Sequence, residues 1–187
     1  MIQFQLVDIR DNTHSNPTEP YTIYLAGRDA QGNAVTVTVK GYRPYFYVEG
    51  AFRNQVIAQL GNAYEYTVSP YQGTPYDYYT NKVVSYQRVK VTTAHDMKRA
   101  VRDLSGRYTT CMSQREPAIA FLHDTGISPA GWITVPGPKC SWNEVKAAEV
   151  DSIAPLIQAS FDIECVSGTG QFPDADNPGD PVIQIAT

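Results

Sequence analysis

Cysteine is scarce in this chain, and the three present, Cys111, Cys140 and Cys165, are odd in number and far apart. That excludes a disulfide framework or a paired zinc motif, and leaves reduced thiols in an intracellular protein as the expectation. Positive charge is also short, with 15 Lys and Arg against 19 Asp and Glu and a formal charge of −4. Such a balance does not bind nucleic acid by bulk electrostatics, so any such contact has to be local. No apolar run approaches the ~20 residues that cross a bilayer, so no membrane partner is expected. The opening MIQFQLVDIRDN lacks the basic head, apolar centre and small-residue cleavage site of a secretory signal. Internal repeats, Gly-rich phosphate loops and serine-nucleophile elbows are missing too, which removes several common enzyme classes.

What is present is a chain of 187 residues, 42% of them hydrophobic, enough to bury a core. Ile2 to Leu6, Tyr21 to Leu25 and Val35 to Val39 alternate apolar and polar at period two, and GRDAQGN between the last two predicts a β-hairpin. GYRPYFYV, Gly41 to Val48, reads as an extended strand after Pro44. Phe52 to Leu60 predicts a short helix stopped by Gly61. From Tyr64 to Tyr86 the chain carries seven of its 13 tyrosines with Pro70, Gly73 and Pro75, a loop composition. Its rings could stack on unpaired bases, but packing against their own domain is the favoured reading.

Val83 to Val91 again alternates as a strand. Thr93 followed by Asp96 predicts an N-cap and a helix running to about Leu104, ending at Gly106. A second helix is expected from Pro117 to Asp124 with Gly126 as its stop, then a strand from Gly131 to Val135 closed by Pro136-Gly137-Pro138. His14, His95 and His123 share no metal-site spacing and are read as structural.

The composition changes near Asp151, where IAPLIQASFDIEC begins an apolar stretch of the kind found in strands buried on both faces. A boundary there gives domains of residues 1–150 and 151–187. Inside the stretch lie two acids, Asp162 and Glu164. On a strand, residues i and i+2 share a face, so the two carboxylates would lie side by side, with Phe161, Ile163 and Cys165 turned into a core. Two carboxylates on one face repel, and a bound cation offsets that repulsion. Oxygen-only ligands favour Mg²⁺ or Mn²⁺ over zinc. The residues alone leave a second reading open, a solvated strand end or a partner for a nearby Lys or Arg.

IAPLIQASFDIEC followed by GQFPDADNPGDPVIQIA resembles the start of the 3′→5′ exonuclease domain of family-B DNA polymerases, in particular the delta-type enzymes and their large-DNA-virus relatives. GYRPYFYV is similar to a segment of their N-terminal domain. REPAIAFLHDTGISPAGWITVP, Arg115 to Pro136, resembles the helix and strand leading toward the exonuclease, with Trp132 at the family's tryptophan.

The resemblance implies an α+β fold: a mixed, β-rich N-terminal domain of a family-B polymerase, followed by the first strands of a ribonuclease-H-like exonuclease domain. It implies that Asp162 and Glu164 are metal-holding acids of the first exonuclease motif, both catalytic, with Mg²⁺ or Mn²⁺. It implies DNA as partner, as primer-template and single-stranded 3′ end, with deoxynucleoside triphosphates and a sliding clamp or accessory subunits in the parent enzyme. The site of action would be a nucleus, cytoplasm or viral replication site. On this reading the chain is the front of a longer polymerase, its first domain left incomplete and its VIQIAT strand without neighbours, and is inactive by itself. The alternatives are a split module that docks to a separate polymerase subunit and an independent metal nuclease.

Overall fold

The computed structural model describes residues 1–74, 83–157 and 159–186, and its contacts divide the chain into two units, Met1–Pro155 and Leu156–Thr187. The first unit opens with β1 (Ile2–Asp11), β2 (Ile23–Arg28) and β3 (Ala34–Lys40). Next come β4 (Tyr45–Glu49), α1 (Arg53–Leu60), β5 (Tyr66–Gly73), β6 (Val84–Val91), α2 (Ala94–Ser105) and β7 (Thr109–Cys111). It finishes with α3 (Pro117–Thr125), β8 (Trp132–Val135), β9 (Lys139–Ser141) and β10 (Lys146–Ala147).

Two sheets result. The larger has the order β10-β8-β1-β2-β3-β9, antiparallel except where β9 lies parallel to β3. The period-two pattern puts Ile23 opposite Val39 and Leu25 opposite Val37, and all four are fully buried with Phe4 and Leu6. Gly27 faces a bulge in β1 between Leu6 and Asp8. A Cβ there would stand 1.9 Å from the Gln5 carbonyl oxygen, so only glycine fits.

The smaller sheet, antiparallel in the order β5-β6-β4-β7, arises from a β-α-β-β-α-β run, the split βαβ arrangement. The strand β4 joins two cores. Tyr45 and Tyr47 pack into a cluster with Phe4, Ile23, Leu25 and Phe121. Phe46 and Val48 point the other way, to Val56 and Leu60 of α1 and Met97, Ala100 and Leu104 of α2. Alternation at period two thus explains why YFYV is apolar or aromatic at every position.

The helices end as their sequences dictate. Gly61 and Gly126 hold φ of 62° and 68°, the left-handed region that side chains disfavour. Thr93 caps α2: its hydroxyl oxygen accepts the Asp96 amide at 2.9 Å and its hydroxyl donates to the Asp96 carboxylate at 2.8 Å. Thr93→Ala is expected to cost about 1 kcal/mol, read as a lower urea midpoint with an unchanged slope. Thr93→Ser should recover most of it.

The structure corrects three expectations. Tyr66–Gly73 is a strand, not loop, because it pairs along its whole length with β6. As the sheet's edge it tolerates Pro70. Of the tyrosine-rich segment, Pro75, Tyr76, Tyr78 and Tyr79 lie outside the described residues. Nor does Pro136-Gly137-Pro138 close the unit: a proline lacks the amide donor but keeps its carbonyl, and that of Pro138 accepts the Thr38 amide at 2.9 Å, leading β9 onto the sheet. The third correction concerns the second unit. There β11 (Asp162–Cys165) pairs with β12 (Val182–Ala186) as a two-stranded antiparallel ribbon. Phe161 is 72% exposed and Ile163 48%, so neither is turned into a core. A two-stranded ribbon has two open faces, and among the described residues of this unit no second layer covers either.

Candidate functional site

The second unit places Asp162 and Glu164 two residues apart on β11, on one face and both exposed. The register sets Asp162 opposite Ala186 and Glu164 opposite Gln184, so no cation on β12 faces either acid. Asp162 Oδ1 accepts the Ile163 amide at 2.9 Å. Among the described residues neither acid forms an ion pair, and no group of three His, Cys, Asp or Glu side chains gathers as a metal site. The structure therefore brings the two carboxylates together and, among the described residues, adds no third. Between the strands, Asp180 pins the connecting loop by accepting the Gly168 and Asp174 amides. The Asp174 amide, foremost, holds the Asp180 carboxyl below the usual carboxylate range.

The first unit contains a polar cluster that period and spacing did not reveal. Asp124, on the last turn of α3, accepts the Tyr42 hydroxyl at 2.9 Å on Oδ2 and the Tyr45 hydroxyl at 2.8 Å on Oδ1. Arg115 in turn donates to the Tyr45 oxygen at 3.2 Å. Burial, then the Asp124 carboxylate, pushes both phenols above the ordinary tyrosine range, so they remain donors. The partners are 82, 79 and 70 residues apart in sequence, beyond any local signal. Yet all four belong to GYRPYFYV and the Arg115 to Pro136 segment. The two stretches quoted for the resemblance meet at this carboxylate.

Trp132 and Gln5 hold the chain that leaves the larger sheet. The Trp132 indole donates to the Ser152 carbonyl, while Gln5 accepts the Ala154 amide at 2.7 Å and donates to the Ala130 carbonyl at 2.9 Å. Residues 152–154 are thereby fixed to β1 and β8 without a strand of their own. None of the described helices is long and apolar enough to cross a membrane, and all three cysteines are free.

Comparison with known proteins bears on this arrangement. Residues 113–187 match the family model described as DNA polymerase family B, exonuclease domain. The chain is 26% identical to a DNA polymerase of Acanthamoeba polyphaga mimivirus, over 89% of its own length and 13% of the relative's. It is 25% identical to the DNA polymerase delta catalytic subunit of Schizosaccharomyces pombe, over 100% of its length and 21% of the relative's. To the DNA polymerase catalytic subunit of human cytomegalovirus it is 29% identical, over 86% and 15%. The chain thus spans about a fifth or less of these relatives. Its fold matches the family B DNA polymerase of the archaeon Pyrobaculum calidifontis with a TM-score of 0.71 at 17% identity, over 98% of this chain and 25% of that one. Residues 113–187 are thus similar to the exonuclease domain of family B DNA polymerases, and the chain's α+β fold is that of a quarter of one such enzyme.

Proposed function

We propose that this chain is part of a DNA-directed DNA polymerase with a 3′→5′ proofreading exonuclease, in which Asp162 and Glu164 hold Mg²⁺ or Mn²⁺. The observation that carries the reading is the pair of exposed carboxylates side by side on β11, within the residues matched by the exonuclease family model. The donor set suits a hard cation, being oxygen only, and a cation offsets the repulsion between the two acids. When bound, such ions activate water and neutralise charge on the leaving oxygen of a phosphodiester. This chain contributes two carboxylates, fixed in register by β12, and the remaining donors are assigned to other residues of the parent enzyme. Its substrates are a primer-template and a single-stranded 3′ end, with deoxynucleoside triphosphates used by the parent's polymerase centre. A sliding clamp or accessory subunits complete the partners at an intracellular replication site.

The test uses the parent enzyme. In Mg²⁺ it should extend a primed template and remove a mispaired 3′ nucleotide, with both activities lost on chelation and restored by Mg²⁺ or Mn²⁺. Extension without any removal of the mispaired end would reject the proofreading assignment.

A further inference from the structure

Three cations gather on one buried tyrosine. The Arg88 Cζ lies 5.9 Å from the Tyr45 ring centroid, the Lys90 Nζ 5.9 Å and the Arg115 Cζ 5.6 Å. Cross-strand register explains the first two: Lys90 is opposite Tyr45 and Arg88 opposite Tyr47, so alternate residues of β6 share the tyrosine face. Arg115 arrives from the turn before α3. With each charge within about 6 Å of one point, no two stand more than about 12 Å apart, within about one and a half Debye lengths at physiological salt. All three side chains are half-buried, which weakens screening further.

The surroundings neutralise them only in part. A cation–π contact contributes about 0.5–1 kcal/mol at exposed sites and leaves the net charge in place. Two carboxylates face this side: Asp124, which accepts two tyrosine hydroxyls, and Glu49, opposite Tyr86, so that positive charge remains in excess. Among the described residues none of the three cations has an ion-pair partner. Neighbouring Arg43 reaches Glu65 and Thr92 through Nη2, but among the described residues its buried Nε has no acceptor, nor has that of Arg88. Burial, then Arg88, holds the Lys90 ammonium below its ordinary range, and the opposing pull of Asp124 does not restore it. Crowded like charges and orphaned buried donors both cost stability, and one anion relieves both.

We propose that Arg88, Lys90 and Arg115 form a phosphate-binding site on the tyrosine face of the smaller sheet. The planar, forked donors of two guanidinium groups match phosphate oxygens. Tyr71 adds an aromatic surface, its ring 6.0 Å from the Arg88 Cζ, 4.6 Å from the Tyr47 ring and 37% exposed. A phosphodiester of a single strand and a free phosphate share the chemistry this site reads. The site is independent of the metal assigned to Asp162 and Glu164.

The experiment uses the whole chain, with a fluorescein-labelled oligothymidylate followed by anisotropy and inorganic phosphate by calorimetry, both at low salt. Two variants are compared: Arg88→Gln with Lys90→Gln, and Lys98→Gln with Arg102→Gln, whose cations are exposed on α2. The first should lose at least tenfold in affinity and the second should stay within twofold. Oligothymidylate bound at least tenfold more tightly than phosphate assigns the site to a nucleic-acid strand, and similar affinities assign it to free phosphate. No binding of either probe, an unchanged affinity in the first variant, or equal losses in both would overturn the proposal. Should the first variant fail to fold, the Arg88 side-chain Nε–H resonance of the unaltered chain decides: it shifts on adding phosphate if the site exists and stays put if it does not.

Discussion

Phe46→Ala is expected to lower the unfolding free energy by about 3–5 kcal/mol, a large share of the 5–15 kcal/mol by which a native domain is stable. Phe46 is fully buried and sits between α1 and α2, among Val56, Leu60, Met97 and Leu104. Truncation removes the ring's transfer free energy and leaves a cavity that two helices and a sheet cannot close. The tyrosine on either side cannot compensate, because Tyr45 and Tyr47 serve the opposite core. A urea titration should show a lower midpoint with the slope unchanged. Phe172→Ala, at a ring 95% exposed, should stay within about 0.5 kcal/mol. Equal effects from the two would contradict the two-core description of β4.

Where one local rule governs, the sequence is easily read. The hairpin of β2 and β3, the Thr93 cap and the glycine stops at Gly61 and Gly126 each depend on residues a few positions apart. The family resemblance was legible in the same stretches that the structure joins through Asp124. What local rules missed depends on distant partners. Tyrosine and proline composition suggested a loop at Tyr66–Gly73, yet pairing with β6 makes it a strand. The parallel docking of β9 needs β3, about a hundred residues earlier. The apolar run before Asp162 suggested burial on both faces, but burial requires covering layers, and the ribbon of β11 and β12 has none among the described residues of its unit. Adjacency of Asp162 and Glu164 followed from strand geometry alone.

Replacing Asp162 and Glu164 together by Ala in the parent enzyme is expected to reduce mismatched-end digestion roughly a thousandfold or more, since several kcal/mol of metal-derived stabilisation is lost at tenfold per 1.36 kcal/mol. Primer extension should stay within about twofold. The acids are exposed and make one local hydrogen bond, from the Ile163 amide to Asp162, so their removal should change stability by no more than about 0.5 kcal/mol. Relief of the repulsion between them offsets the loss of that bond. A structural role for the pair leads elsewhere: the protein would unfold more readily and both activities would fall together.

The ratio of mismatched-primer digestion to primer extension, measured on one preparation of that double variant and of the unaltered parent, tests the metal-holding role most directly. The role assigned to Asp162 and Glu164 requires the ratio to collapse while extension persists. A ratio that stays the same, through retained digestion or through parallel loss of both activities, would contradict it.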